Sequence, residues 1–123
     1  MEPTARIEEL AERLGSCSKV LTAIGDETRQ HLILEMMKMG KCTGARVTEI
    51  AERTSLSRPA VSHHMQILKD AGIVRVRKEG TMTFYYFDRE LRPIDDLISA
   101  LQMAKDVAGS LHDPEDTRSE RGG

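Results

Sequence analysis

Tryptophan is absent from this 123-residue chain, and only two tyrosines and two phenylalanines are present. Its core must therefore come from Leu, Ile, Val, Ala and seven methionines. Cysteine is equally scarce. Cys17 and Cys42 are too few for a disulfide framework and show no CxxC spacing, which excludes a structural zinc finger. No apolar run approaches the roughly 20 residues of a membrane-spanning helix. The start, Met1-Glu2-Pro3, leads straight into acidic, helix-like sequence, so no signal peptide and a cytoplasmic location are expected. What is present, 39% hydrophobic and 31% charged residues, suits a folded domain with one modest core.

Charge and aromatics are unevenly placed. The net charge is only −2, yet residues 1–27 carry six acids against three bases, while residues 55–78 carry five bases against one acid, Asp70. This makes a polarised molecule, and its positive end needs an explanation. All four aromatics fall together as Phe84-Tyr85-Tyr86-Phe87, which predicts one strand in an otherwise helical chain. Alternation along that strand turns two of the four toward the core, so packing is favoured over stacking on unpaired bases.

Hydrophobic spacing gives the order of elements. Ile7, Leu10, Ala11 and Leu14 recur at helical intervals, with Thr4 as a cap and a bend at Gly15-Ser16 before Val20, Leu21 and Ile24. Asp26 caps a second helix, 27–39, that is apolar nearly all round and reads as central and buried, with His31 as a structural residue. Residues 40–46 read as a loop. A short helix over 47–53 is followed by Ser57-Arg58-Pro59, an N-cap and first turn, and by a helix that ends at Gly72. Two helices joined by three or four residues predict a helix-turn-helix. The period then changes to two, and 74–87 reads as a hairpin turning at Glu79-Gly80. The last helix, 94–111, has two apolar stripes, one with Ile94, Leu97, Ile98, Leu101 and Ala108 and one with Ala100, Met103 and Val107. Two stripes imply two neighbours, one inside the subunit and one outside. The charged tail 112–123 is expected to be disordered.

The fold class is therefore mainly α with one β-hairpin, a winged helix-turn-helix domain spanning 1–111 (helix, helix, short helix, helix, hairpin, helix). On the 58–71 helix, Val61, His64, Met65, Leu68 and Ala71 share the inner face, and Arg58, Ser62, His63, Gln66 and Lys69 the outer one. Cations, an amide, a hydroxyl and an imidazole with no acid between Ser55 and Lys69 are the chemistry of phosphate and base-edge contact. An ordinary solvated face would mix acids with bases. Ser57 joins this set, and Arg75, Arg77 and Lys78 on the hairpin are expected over phosphates or a minor groove. For the two arginines the alternative is the plain solvent side of an amphipathic strand. His63 and His64 diverge by about 100° and cannot chelate together, so His64 is expected as a hydrogen-bonded core residue.

Three segments resemble the ArsR/SmtB repressor family. Ile24-Gly25-Asp26-Glu27-Thr28-Arg29 is similar to its "ALADPTR" opening. Val61-Ser62-His63-His64-Met65-Gln66-Ile67-Leu68-Lys69-Asp70-Ala71-Gly72-Ile73-Val74 resembles its recognition helix, and Lys78-Glu79-Gly80 with Tyr85-Tyr86 its wing. The resemblance covers about 7–111. It implies a homodimer joined through the first and last helices, here Ile7, Leu10, Leu14, Leu97, Leu101 and Ala108, that leaves a near-palindromic DNA operator when an effector binds.

Many relatives of this kind sense metals, but the family's cysteine pair has no counterpart at Arg46–Ile50. Its last-helix site would retain only Asp95 or Asp96 with His112 and Asp113. No cofactor or metal is expected. Cys17 and Cys42 stay open as a thiol-responsive pair, Cys42 with Lys41 beside it to favour the thiolate. The rivals are a winged-helix module that binds protein without a DNA target, and an enzyme. For the latter no nucleophile–base set, Gly-rich phosphate loop or paired-carboxylate cleft is legible.

Overall fold

The computed structural model describes residues 2–111. Its elements are α1 (Pro3–Ser16), α2 (Ser18–Ile24), α3 (Glu27–Met39), β1 (Ala45–Arg46), α4 (Val47–Thr54), α5 (Arg58–Asp70), β2 (Val74–Glu79), β3 (Met82–Phe87) and α6 (Arg92–Ser110). The tail expected to be disordered, with His112 and Asp113, lies outside the described residues.

The interruption expected near Gly15-Ser16 falls at Cys17, whose φ of −96° and ψ of 7° separate α1 from α2. Thr4 does not cap α1. Pro3, with its fixed φ, already occupies the first turn, and Glu2 takes the cap position. Asp26 caps α3 as predicted, its carboxylate accepting the Arg29 N–H at 2.9 Å. The expectation that α3 is buried all round is wrong. Only Arg29, Leu32 and Met36 are buried, while Leu34 and Met37 are 55% and 58% exposed and His31 faces solvent. One face of α3 packs within the subunit and the other does not.

Behind the helix-turn-helix, Ile50 of α4 and Val61, Met65 and Leu68 of α5 are fully buried together with Leu32. Ser57 Oγ accepts the Ala60 N–H at 3.2 Å and starts α5. Gly72 ends it at φ +79°, where a side chain would also strike Pro93 2.9 Å away. The hairpin pairs Val74 with Phe87 through Glu79 with Met82. Tyr85 is buried and Phe87 packs on the core, so the aromatics alternate as expected.

The sequence reading of 40–46 as a loop misses a third strand. β1 pairs with β3, Ala45 opposite Tyr85 and Arg46 opposite Phe84, giving the order β1-β3-β2. Gly44 allows the approach: its φ is +109°, and a Cβ there would stand 3.0 Å from Phe84 Cβ and 3.1 Å from the Tyr85 carbonyl.

The two apolar stripes of α6 are real, but divided differently. Leu97, Ala100 and Val107 are buried in the subunit, whereas Ile98 and Leu101 stay 49% and 47% exposed. Leu97 therefore belongs to the chain's own core and not to an interface. It lies one residue, about 100°, from Ile98, so the two point to different neighbours. On α1 no residue is buried. Arg13 reaches Ser99 Oγ at 3.3 Å and ties α1 to α6.

Candidate nucleic-acid interface

The inner side of α5 decides what its outer side can do. Val61, Met65, Leu68 and Ala71 are buried, which fixes the helix rotation. Arg58, Ser62, His63, Gln66 and Lys69 are all exposed on the opposite arc, as the sequence predicts. Gln66 Nε2 donates to Asp70 Oδ1 at 2.9 Å, a surface bond that a base edge or water can replace. Arg58 has no ion pair among the described residues. Ser57 combines exposure with its capping role.

His64 is half-buried and hydrogen-bonded, as expected. Its partner is the residue that sequence reasoning missed. Arg29 is buried, and its guanidinium donates to the Ala23 and Thr22 carbonyls, each at 2.9 Å, and to His64 Nδ1 at 3.3 Å. One side chain of α3 thus satisfies open carbonyls near the end of α2 and braces the helix that carries the outer face. Burial, the leading cause, pushes the His64 imidazole below its ordinary value, with Asp26 opposing and Arg29 adding to the shift. The Arg29 N–H, foremost, holds the Asp26 carboxyl below the usual carboxylate range.

Two carboxylates hold α4, one from α3 and one of its own first turn. Glu35 of α3 accepts from Arg53 Nε at 3.2 Å. Glu49 accepts the Arg46 N–H at 3.0 Å and pairs with Lys41. The Lys41 ammonium is thus turned to a carboxylate, which weakens the expectation that it serves the Cys42 thiol. Cys17 is buried in the core and Cys42 exposed, both as free thiols.

The hairpin cations differ in kind. Arg77 is held within the subunit: it donates to the Thr43 carbonyl at 2.7 Å, pairs with Glu79 and lies 4.5 Å over the Phe84 ring. Arg75 and Lys78 are exposed. Both line a cleft of about 640 Å³ with Lys69 from the end of α5, so the structure brings helix and hairpin cations to one place. Among the described residues no three His, Cys, Asp or Glu side chains converge as metal ligands, and no helix is long and apolar enough to cross a membrane.

Helix, turn, exposed helix and wing define the class: a winged helix-turn-helix regulator. The family model for bacterial regulatory proteins of the arsR family matches residues 26–76. An uncharacterized HTH-type transcriptional regulator of Methanocaldococcus jannaschii is 35% identical over 91 residues, covering 73% of this chain and 99% of the relative. The transcriptional repressor SdpR of Bacillus subtilis is 37% identical over 68 residues, 55% of this chain and 71% of that one. Among solved structures, an ArsR family transcriptional regulator superposes with a TM-score of 0.63 at 22% identity, covering 83% of this chain and 96% of the other. The homodimeric winged helix-turn-helix domain of a possible ArsR-family regulator from Mycobacterium bovis gives 0.51 at 19% identity, with 92% and 95% covered. The chain belongs to the arsR family of DNA-binding transcriptional regulators.

Proposed function

We propose that the protein is a homodimeric, cytoplasmic repressor that grips a near-palindromic operator and lets go when a small effector binds. The observation that carries this reading is the cleft shared by Lys69, Arg75 and Lys78. It continues the outer face of α5, whose one acid is Asp70 at the last turn, onto the wing, so one surface offers base-edge donors and phosphate partners together. Arg58, Ser62, His63 and Gln66 meet base edges or nearby phosphates, Ser57 presents the helix start, and Lys69, Arg75 and Lys78 follow the backbone. Arg77 keeps the wing in shape through Thr43 and Phe84 instead of touching DNA.

The dimer reading rests on α1 and α6. Ile7, Ile98 and Leu101 leave 45%, 49% and 47% of their surface exposed on two helices that pack side by side. Leu10 and Ala108 extend that face, whereas Leu14, expected there, packs partly on the chain's own core. Covering each large exposed side chain favours association by up to roughly 1.5–3 kcal/mol. No resident metal enters the proposal.

Selection of bound sites from random duplex DNA tests it. Enrichment of a two-part site with half-site centres about 34 Å, or a multiple, apart supports two recognition helices on one face of the duplex. Failure of any sequence to enrich would leave a winged helix without a DNA target.

A further inference from the structure

Arg75, Tyr86 and Asp88 line the DNA-facing cleft on one side and a second cleft of about 780 Å³ on the other. This second cleft opens between the end of α3, the loop after it and the ends of the hairpin strands. Its size falls within the roughly 300–1,000 Å³ of small-molecule sites. Met36, Met37 and Phe87 supply an apolar lining, and methionine adapts to ligand shape. Arg75 and Arg89 face it against one carboxylate, Asp88, while Lys41 on its rim is paired with Glu49.

That carboxylate is already committed. Its Oδ1 accepts the Glu90 and Leu91 N–H groups at 3.0 Å, and these hold Asp88 below the usual carboxylate range. Its other oxygen is 3.9 Å from Arg75 Nε, too far for a hydrogen bond. Arg75 is therefore able to turn toward a better anion.

We propose that this cleft binds an amphipathic organic anion, a carboxylate or sulfonate on an aromatic or alkyl body, and that the bound anion draws Arg75 from the DNA-facing side. The site itself stands on the cleft's shape and charge. Its regulatory effect rests on the operator reading above, because Arg75 is the residue both clefts share.

The full-length protein is titrated with 1-anilinonaphthalene-8-sulfonate. Saturable binding of one dye per chain is expected, displaced by decanoate at concentrations where decanol does not displace it. Met37→Glu and Arg89→Glu, both at exposed positions, should each weaken dye binding at least about tenfold with an unchanged urea midpoint. If Met37→Glu fails to fold, Arg89→Glu keeps the test. Cys42 lines the cleft and is exposed while Cys17 is buried, so bound dye should slow alkylation of Cys42 by iodoacetamide. Equal displacement by decanol, undiminished binding by the folded variants, or unprotected Cys42 would each overturn the site.

None of these readings uses DNA, so their failure is distinct from failure of the operator reading. On a selected operator, saturating dye should weaken binding by about tenfold in the wild type and by much less in Arg89→Glu. An operator affinity indifferent to dye, with the dye bound, would overturn the coupling to Arg75.

Discussion

The Arg29 guanidinium lies 3.3 Å from His64 Nδ1 and joins α3 to α5, the helix whose outer face we assign to DNA. Arginine has donors and no acceptor, so Nδ1 must accept and the imidazole is neutral with its proton on Nε2. A second proton would abolish that bond and set two cations side by side.

Stability should therefore depend on pH through His64. Its folded value is depressed, so as pH falls the unfolded chain takes up the proton first, below about 6.5. The contribution is fully present above that pH and is lost as pH falls through the folded value. Urea midpoints of wild type and His64→Gln, measured between about pH 5 and 8, should converge toward the acid end. Curves that stay parallel would show that His64 does not titrate this way.

Removing the brace should cost more than any surface change. Arg29→Met leaves the Thr22 and Ala23 carbonyls without their donor, and we expect about 2–4 kcal/mol of lost stability in urea unfolding. Arg29→Lys keeps the charge but not the fork and should recover only part of it. A loss below about 0.5 kcal/mol would mean that water replaces the guanidinium without penalty.

These two residues also mark where sequence reading succeeds and stops. α5 and its faces were legible because Ser57 and Gly72 punctuate a strict helical period, and β2 because valine and arginine alternate. Arg29 was missed because arginine is usually a surface residue. Yet it stands three positions before Leu32 and seven before Met36, on their face of α3. β1 is not legible in the sequence because two residues cannot display a period. Leu97 and Ile98 fall in one stripe of the sequence because α6 is apolar over a wide arc, and only packing against the rest of the chain separates inner from outer.

Lys78 and Arg77 should behave differently on the wing. Lys78→Ala is expected to weaken operator binding regardless of sequence and to lower the slope of log affinity against log salt by about 0.9. Arg77→Ala should mainly lower stability, since its partners are Thr43, Glu79 and Phe84. Fluorescence anisotropy across a salt series separates them, and an unchanged slope for Lys78→Ala would take the wing out of the interface.

Leu101→Asp should shift the proposed dimer toward monomer at micromolar concentration while each chain stays folded, because Leu101 is outside the chain's own core. Leu97→Asp should instead unfold the subunit. Sedimentation equilibrium with circular dichroism reads both, and a Leu101→Asp protein that remains dimeric would move the interface elsewhere.

Sequence-specific recognition depends most on the outer face of α5 reading bases. The decisive measurement is operator affinity, by mobility-shift titration on the selected site, for wild type, Arg58→Ala and Gln66→Ala. Each variant should lose about 1–3 kcal/mol of binding and relax its preference at one base position while its urea midpoint stays put. Wild-type affinity and base preference in both variants would mean that this face does not read bases.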